Sequence, residues 1–190
     1  NYTAFKDEII FERIVRLKQI RDRYESFEKN KIIQIMSQLR HHLINMDEID
    51  KICKQINEHE RFIAYGSPTL LNLLFDFQVD MKIFDKTVLL SSVNNGKILV
   101  PKNNDLIGLF TATGRLLGCC DAKFQEVVLD TKNTKILFSK SQINSEYIDF
   151  SFSMDTDNDY YEMHYVFLFL FDLIKTRYYE LYIKEWKYDY

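Results

Sequence analysis

The chain has 190 residues, 46% of them hydrophobic and 28% charged, with a formal net charge of −3. This length can bury a core without covalent staples, and three cysteines are too few, and odd in number, for a disulfide framework. The near-neutral balance lacks the strong basic field of a nucleic-acid binder, and no uncharged apolar run approaches the ~18 residues of a membrane span.

The chain opens NYTAFKDEII, with no basic stretch followed by an apolar core of the kind a secretory leader carries. A reduced, cytoplasmic protein is expected. Residues 4–29 read as a first helix, with Ile10, Ile14, Leu17, Tyr24 and Phe27 at helical spacing. Residues 31–45 repeat the pattern through Ile32, Met36, Leu39 and Leu43. A third helix is predicted from an N-cap at Asp47 to a stop at Gly66, with Ile49, Ile52, Cys53, Ile56 and Ile63 as its apolar stripe. Ser67-Pro68 is a helix start: a capping hydroxyl, then proline at the first helical position. It opens a short fourth helix over about 68–77.

Near residue 79 the period changes from 3.6 to 2. Val79, Met81 and Ile83 alternate with polar residues, as in a strand. TVLLSSV-NNG-KILVP (87–101) predicts a hairpin turning at Asn95-Gly96. LIGLFTATGRLLGCC (106–120) predicts a second, turning at Thr113-Gly114, apolar on both faces and so central. FQEVVLD (124–130), KILFS (135–139) and YIDFSFS (147–153) read as further strands. Residues 160–188 form a long final helix along Met163, Phe167, Leu170, Phe171, Ile174, Tyr178 and Leu181.

Recognisable chemistry is scarce. DTDNDYYE (155–162) has the alternating aspartates of a calcium loop, but Tyr160 and Val166 stand where that loop needs Gly and Glu. Asp159 as N-cap with Glu162 three residues on makes a capping box instead. Cys119-Cys120 are adjacent on a predicted strand and point to opposite faces. His41-His42 are ~100° apart on a predicted helix and are poor joint ligands; His59 reads as a solvated turn and His164 as a core histidine. GLFTATGR (108–115) lacks the glycine spacing and Lys-Ser/Thr of a phosphate loop. Asp80, Asp85, Asp105 and Asp121 are carboxylates with nothing to single out a pair. No catalytic residue, cofactor or metal site is therefore assigned.

Two surfaces suggest partners. Arg13, Arg16 and Arg23 share one face of the first helix, suited to an acidic protein or, second, to nucleic-acid phosphates. Tyr178, Tyr179, Tyr182 and Trp186, followed by Tyr188 and Tyr190, crowd the end of the last helix. Such rings are enriched at interface hot spots. The expected fold is α+β: a helical region (1–77), then a mostly antiparallel sheet of about seven strands with the C-terminal helix packed on it (79–190), as two domains or one. The expected function is that of a non-enzymatic protein-interaction protein: an adaptor, inhibitor, immunity-type protein or assembly subunit, binding a protein partner or itself. The alternatives are a nucleic-acid-associated protein using the basic face, and a small-ligand sensor or enzyme with its pocket between sheet and C-terminal helix.

Overall fold

The computed structural model describes residues 46–93, 97–118, 121–153 and 160–184. The chain divides into two compact units, Asn1–His41 and His42–Tyr190. The first lies outside the described residues, and with it the predicted helices over 4–29 and 31–45 and the arginines of the basic face.

In the second unit, α1 (Met46–Glu58) is followed by β1 (Arg61–Gly66), α2 (Pro68–Leu71), a 3-10 turn (Asn72–Leu74) and α3 (Phe75–Ile83). Then come β2 (Thr87–Ser92), β3 (Asp105–Thr111), α4 (Arg115–Gly118), α5 (Ala122–Phe124) and a π-helical turn (Gln125–Leu129). β4 (Lys135–Ser139), β5 (Phe150–Ser153) and α6 (Tyr160–Tyr182) complete it. The five strands of the described residues form one sheet in the order β2-β1-β3-β4-β5, and every pair is parallel.

The fold is thus α/β with a parallel sheet, not a mostly antiparallel seven-stranded α+β fold. The physical reason lies in the centre of the sheet. All seven residues of β3 are buried, as are all five of β4. Strands enclosed on both faces read as continuous apolar runs, which is the habit of parallel sheets between helical layers. Neither expected hairpin forms. Thr113-Gly114 turns β3 into α4, so 115–118 is helical. Residues 97–101 return as coil and Asn95-Gly96 lies outside the described residues. The supposed third helix divides: α1 ends at Glu58, and the buried run FIAY becomes β1. Val79, Met81 and Ile83 belong to α3, and residues 124–129 are helical.

Strand parity sorts the core into two layers. Ile63, Tyr65, Ile107, Leu109 and Leu137 pack on one face against Phe124, Val128 and Leu129. The other face is aromatic. Phe110 stacks on Phe138 with centroids 4.7 Å apart, and both meet Phe171 of α6 at 5.4 Å. Phe77 of α3 joins Phe171 at 4.9 Å, edge to face. Such pairs contribute roughly 0.5–1.5 kcal/mol each beyond their buried area. Gly108 makes the layer possible: a Cβ there would stand 2.5 Å from the Phe62 ring. These phenylalanines fill the layer between the sheet and α3 and α6.

Candidate functional site

In an open parallel sheet, ligands bind beyond the carboxyl ends of the strands, where the strand order reverses. Here the chain steps from β1 outward to β2, then crosses to β3 on β1's other side. The switch point therefore lies between the ends of β1 and β3. Two turns meet there: Gly66-Ser67-Pro68-Thr69 after β1, and Thr111-Ala112-Thr113-Gly114-Arg115 after β3.

Each turn has a local cause. Ser67 has extended backbone (φ −70°, ψ 151°), and its Oγ accepts the Leu70 N–H at 3.4 Å, so it caps α2 while Pro68 opens it. Gly66 is paired in register with Phe110, whose Cβ and carbonyl lie 3.0 Å from where a Gly66 Cβ would sit. That close approach brings the two turns together. Gly114 has φ +77°, a conformation that favours glycine, and a Cβ there would also displace Ile143 Cδ1, 2.6 Å away. Thr111 is buried, while Thr113 and Arg115 are exposed.

The rest of this edge is also rich in hydroxyls. β2 ends on Ser91-Ser92, β4 on Ser139 and β5 on Ser153. Ser139 is fully buried and its Oγ donates to the Ser141 carbonyl at 2.7 Å. Lys140 adds a half-buried cation. None of the residues 66–71, 91–93, 111–118 or 139–141 is a carboxylate. The turns after β1, β3 and β4 therefore carry hydroxyl and backbone donors with Arg115 and Lys140, which suits an anion, while the connection leaving β5 carries Asp155, Asp157 and Asp159.

The amino edge is built differently. Arg61 donates from Nε to Asp105 Oδ1 at 2.8 Å, and a second contact joins Nη2 to Oδ2. Burial alone would raise the Asp105 carboxyl, but the bonds from Arg61 and the Lys102 N–H, with the Arg61 charge, hold it below its ordinary value. Lys135 is buried and donates to the carbonyls of Thr131 and Asn133 at 2.5 and 2.9 Å. Burial lowers its ammonium pKa. Arg61 and Asp105 join β1 to β3, and Lys135 ties down the turn before β4.

The residues singled out from sequence are scattered. Tyr178 is 1% exposed; it hydrogen-bonds Asn57 Oδ1 at 3.1 Å and stacks on Phe84. Tyr179 also packs on Phe84, and Tyr182 on Tyr178. Trp186, Tyr188, Tyr190, Arg13, Arg16, Arg23, His41 and Cys119-Cys120 lie outside the described residues. The four aspartates are not brought together. Asp105 pairs with Arg61, Asp80 with Lys175 at 2.8 Å, and Asp121 caps α5 through the Phe124 N–H at 2.7 Å. Asp85 sits at φ 56° after α3. Cys53 is buried against the Ile174 carbonyl, and burial, with the nearby Asp50 charge, pushes its thiol up to about 12. Sequence reasoning missed Ser67, Thr111 and Thr113 as site residues. The signal that points to them, a hydroxyl following each apolar run, has meaning only once the strands are parallel and all end on one edge.

No protein-family model and no curated protein matches the chain. Among the described residues, no helix is long and apolar enough to cross a membrane. Solved structures do match. A hypothetical protein of Methanococcus jannaschii, whose structure infers 3-hexulose-6-phosphate isomerase function, aligns with a TM-score of 0.63 at 14% identity, covering 78% of this chain and 87% of that one. The Vibrio vulnificus NanR protein complexed with ManNAc-6P aligns at 0.64 and 10%, covering 90% and 69%. A putative sugar-phosphate isomerase of Listeria monocytogenes aligns at 0.58 and 15%, covering 84% and 96%. The expectation of a non-enzymatic adaptor or other protein-binding module is overturned by these neighbours, which are described by the sugar phosphate they bind or isomerise. At these identities the likeness is one of fold: the chain shares the parallel α/β architecture of these structures.

Proposed function

We propose that the chain binds a phosphorylated sugar in the crevice between the ends of β1 and β3. The observation that carries this reading is the meeting of two hydroxyl-bearing turns, Ser67-Thr69 and Thr111-Thr113, at the topological switch point, with Gly66 keeping β1 close to Phe110 of β3. A phosphate monoester presents several acceptor oxygens and negative charge. Hydroxyl and backbone donors satisfy the oxygens, and Arg115 and Lys140 supply the opposing charge. One structural neighbour, the NanR protein, holds a ligand of this class, ManNAc-6P. A cytoplasmic setting goes with this reading, because charged sugar phosphates do not cross bilayers unaided.

Thermal melting and titration calorimetry with ManNAc-6P, 3-hexulose 6-phosphate and tagatose 6-phosphate test the reading, with unphosphorylated sugars and inorganic phosphate as controls. A ligand at a hundred times its Kd should stabilise the fold by about 2.7 kcal/mol. An unphosphorylated sugar should give no shift. Equal silence from every phosphorylated sugar would overturn the proposal.

One observation favours a second reading, isomerisation. Phe167 of α6 packs on Phe110, the partner of Gly66, with centroids 6.0 Å apart. His164 stands one helical turn before Phe167 and is half-buried. An aldose–ketose isomerase needs a group that moves a proton between neighbouring carbons, and an imidazole can serve that role. Conversion of an aldose phosphate to its ketose by the chain, lost in His164→Ala with binding retained, would select this reading. Binding without turnover would select the first.

A further inference from the structure

α3 is apolar on two opposite sides. Phe77 and Met81 face the core and are 3% and 0% exposed. Phe75, Val79 and Ile83 recur at every fourth residue, so they line one ridge on the other side. They are 60%, 48% and 71% exposed. The neighbouring helix repeats the pattern. Tyr165 and Leu168 of α6 are 53% and 43% exposed, although Val166, Phe167 and Leu170 already fill its buried side. A helix that serves only its own core carries polar residues on its outer face; these two carry large apolar ones.

A groove of about 290 Å³ runs between the two helices, lined by Leu73, Phe77, Leu168, Phe169 and Phe171. An apolar cavity of about 150 Å³ takes up benzene, so this groove has room for a phenyl ring. Leu73 stands two residues before Phe75, which sets groove and ridge side by side. A two-fold axis between them places the ridge of each copy in the groove of the other, the self-complementary arrangement of a symmetric dimer.

We propose that this face is the interface of a homodimer, with Phe75 of each copy seated in the groove of its partner. A second copy covers ridge and groove together, whereas a bound peptide segment would fill the groove and leave the ridge bare. The rim opposes an anionic bilayer, because Asp76, Asp80, Asp85 and Asp172 outnumber Lys82 and Lys175. The area is sufficient. At about 200 Å² for a large side chain, Phe75, Val79, Ile83, Tyr165 and Leu168 leave roughly 500 Å² open on each copy. Two copies then remove about 1,000 Å², the extent a specific interface needs, before any polar rim is counted. The inference is independent of the sugar-phosphate reading.

Sedimentation velocity of the whole chain across micromolar concentrations tests it. The wild type should reach twice the 22.8 kDa chain mass. Val79→Lys on the ridge and Leu168→Arg at the groove should each weaken the dimer roughly tenfold or more, with an unchanged circular-dichroism spectrum. Val100→Lys should leave it intact: Val100 is 68% exposed, but its neighbour Leu99 is bonded to Tyr65 on the other face of the sheet. One further readout needs no variant. On dilution of the wild type, amide exchange over 75–83 and 165–169 should quicken as the dimer dissociates. A wild type that stays monomeric throughout, or a dimer that both the ridge and the groove variants leave intact, would overturn the proposal.

Discussion

Arg61 and Asp105 face each other at the amino ends of β1 and β3, and their side chains join as their backbones do. The Asp105 side chain is 2% exposed and that of Arg61 20%. A pair so placed stabilises less than its contacts suggest, because both charges left water to form it. Breaking it from one side is costly. Asp105→Asn should destabilise the fold by about 3–5 kcal/mol in urea denaturation. Arg61→Met with Asp105→Leu should cost much less, because neither charge is then stranded. Equal losses in the single and double variants would show that the pair itself, not the stranded charge, sets the cost.

The same carboxyl makes stability depend on acid. Its folded pKa lies below its unfolded value. Above the unfolded value, near 3.8, both states are ionised and the full contribution is present. As pH falls through the folded pKa the native carboxylate is protonated and the contribution is lost. Melting temperature should therefore fall below about pH 4, and more gently in the Arg61→Met, Asp105→Leu variant. The same slope in both would assign the acid sensitivity to other groups.

Gly108 sits where the Phe62 and Phe110 rings close over β3. Gly108→Ala puts a methyl 2.5 Å from Phe62 Cζ in a layer with no slack. A loss of about 1–3 kcal/mol is expected by chemical denaturation, the usual cost of overpacking a filled core. Phe62→Leu in the same chain should recover part of it by removing the obstructing ring. No recovery would mean that the backbone, not Phe62, resists the methyl.

Thr113 separates the affinity of the edge from its stability, whereas Gly114 and Ser67 serve both. Gly114→Ala meets both a positive φ and Ile143, and should cost about 1–2 kcal/mol while displacing Thr113. Ser67→Ala removes the α2 cap, worth about 1 kcal/mol, and one phosphate donor. Thr113→Val is isosteric and exposed, so it should leave stability within about 0.5 kcal/mol and weaken sugar-phosphate binding roughly tenfold. Calorimetry showing unchanged affinity in Thr113→Val would remove this threonine from the site.

Tyr178 belongs to the core. Tyr178→Phe keeps the stack on Phe84 but leaves Asn57 without its donor, and should cost about 0.5–1.5 kcal/mol. Tyr178→Ala empties a filled site and should cost about 3–5 kcal/mol. A Tyr178→Ala variant as stable as wild type would return the residue to the surface.

Much of the local structure was legible. The stripe Ile49, Ile52, Cys53, Ile56 marks α1, Ser67-Pro68 marks the start of α2, and Phe167, Leu170, Phe171, Ile174 and Tyr178 mark the buried face of α6. These signals are local: a helix closes its own hydrogen bonds, so spacing along the chain reports its buried face. The apolar segment 106–110 likewise announces a strand covered on both sides.

What sequence could not settle was which way that strand is paired. A strand's bonds go to segments far along the chain, and an apolar run looks alike beside a parallel or an antiparallel neighbour. Asn95-Gly96 and Thr113-Gly114 favour tight turns without saying whether a strand or a helix follows; after Thr113-Gly114 it is a helix. Ile63 lies at helical spacing from Ile56, yet the helix ends at Glu58 and Ile63 is in β1, because a short apolar run fits either period. Only the assembled sheet, by running all five strands one way, gathers their terminal hydroxyls on one edge and the Arg61–Asp105 pair on the other. Pairing direction is a property of contacts between distant residues, so tertiary structure alone decided where a ligand can sit.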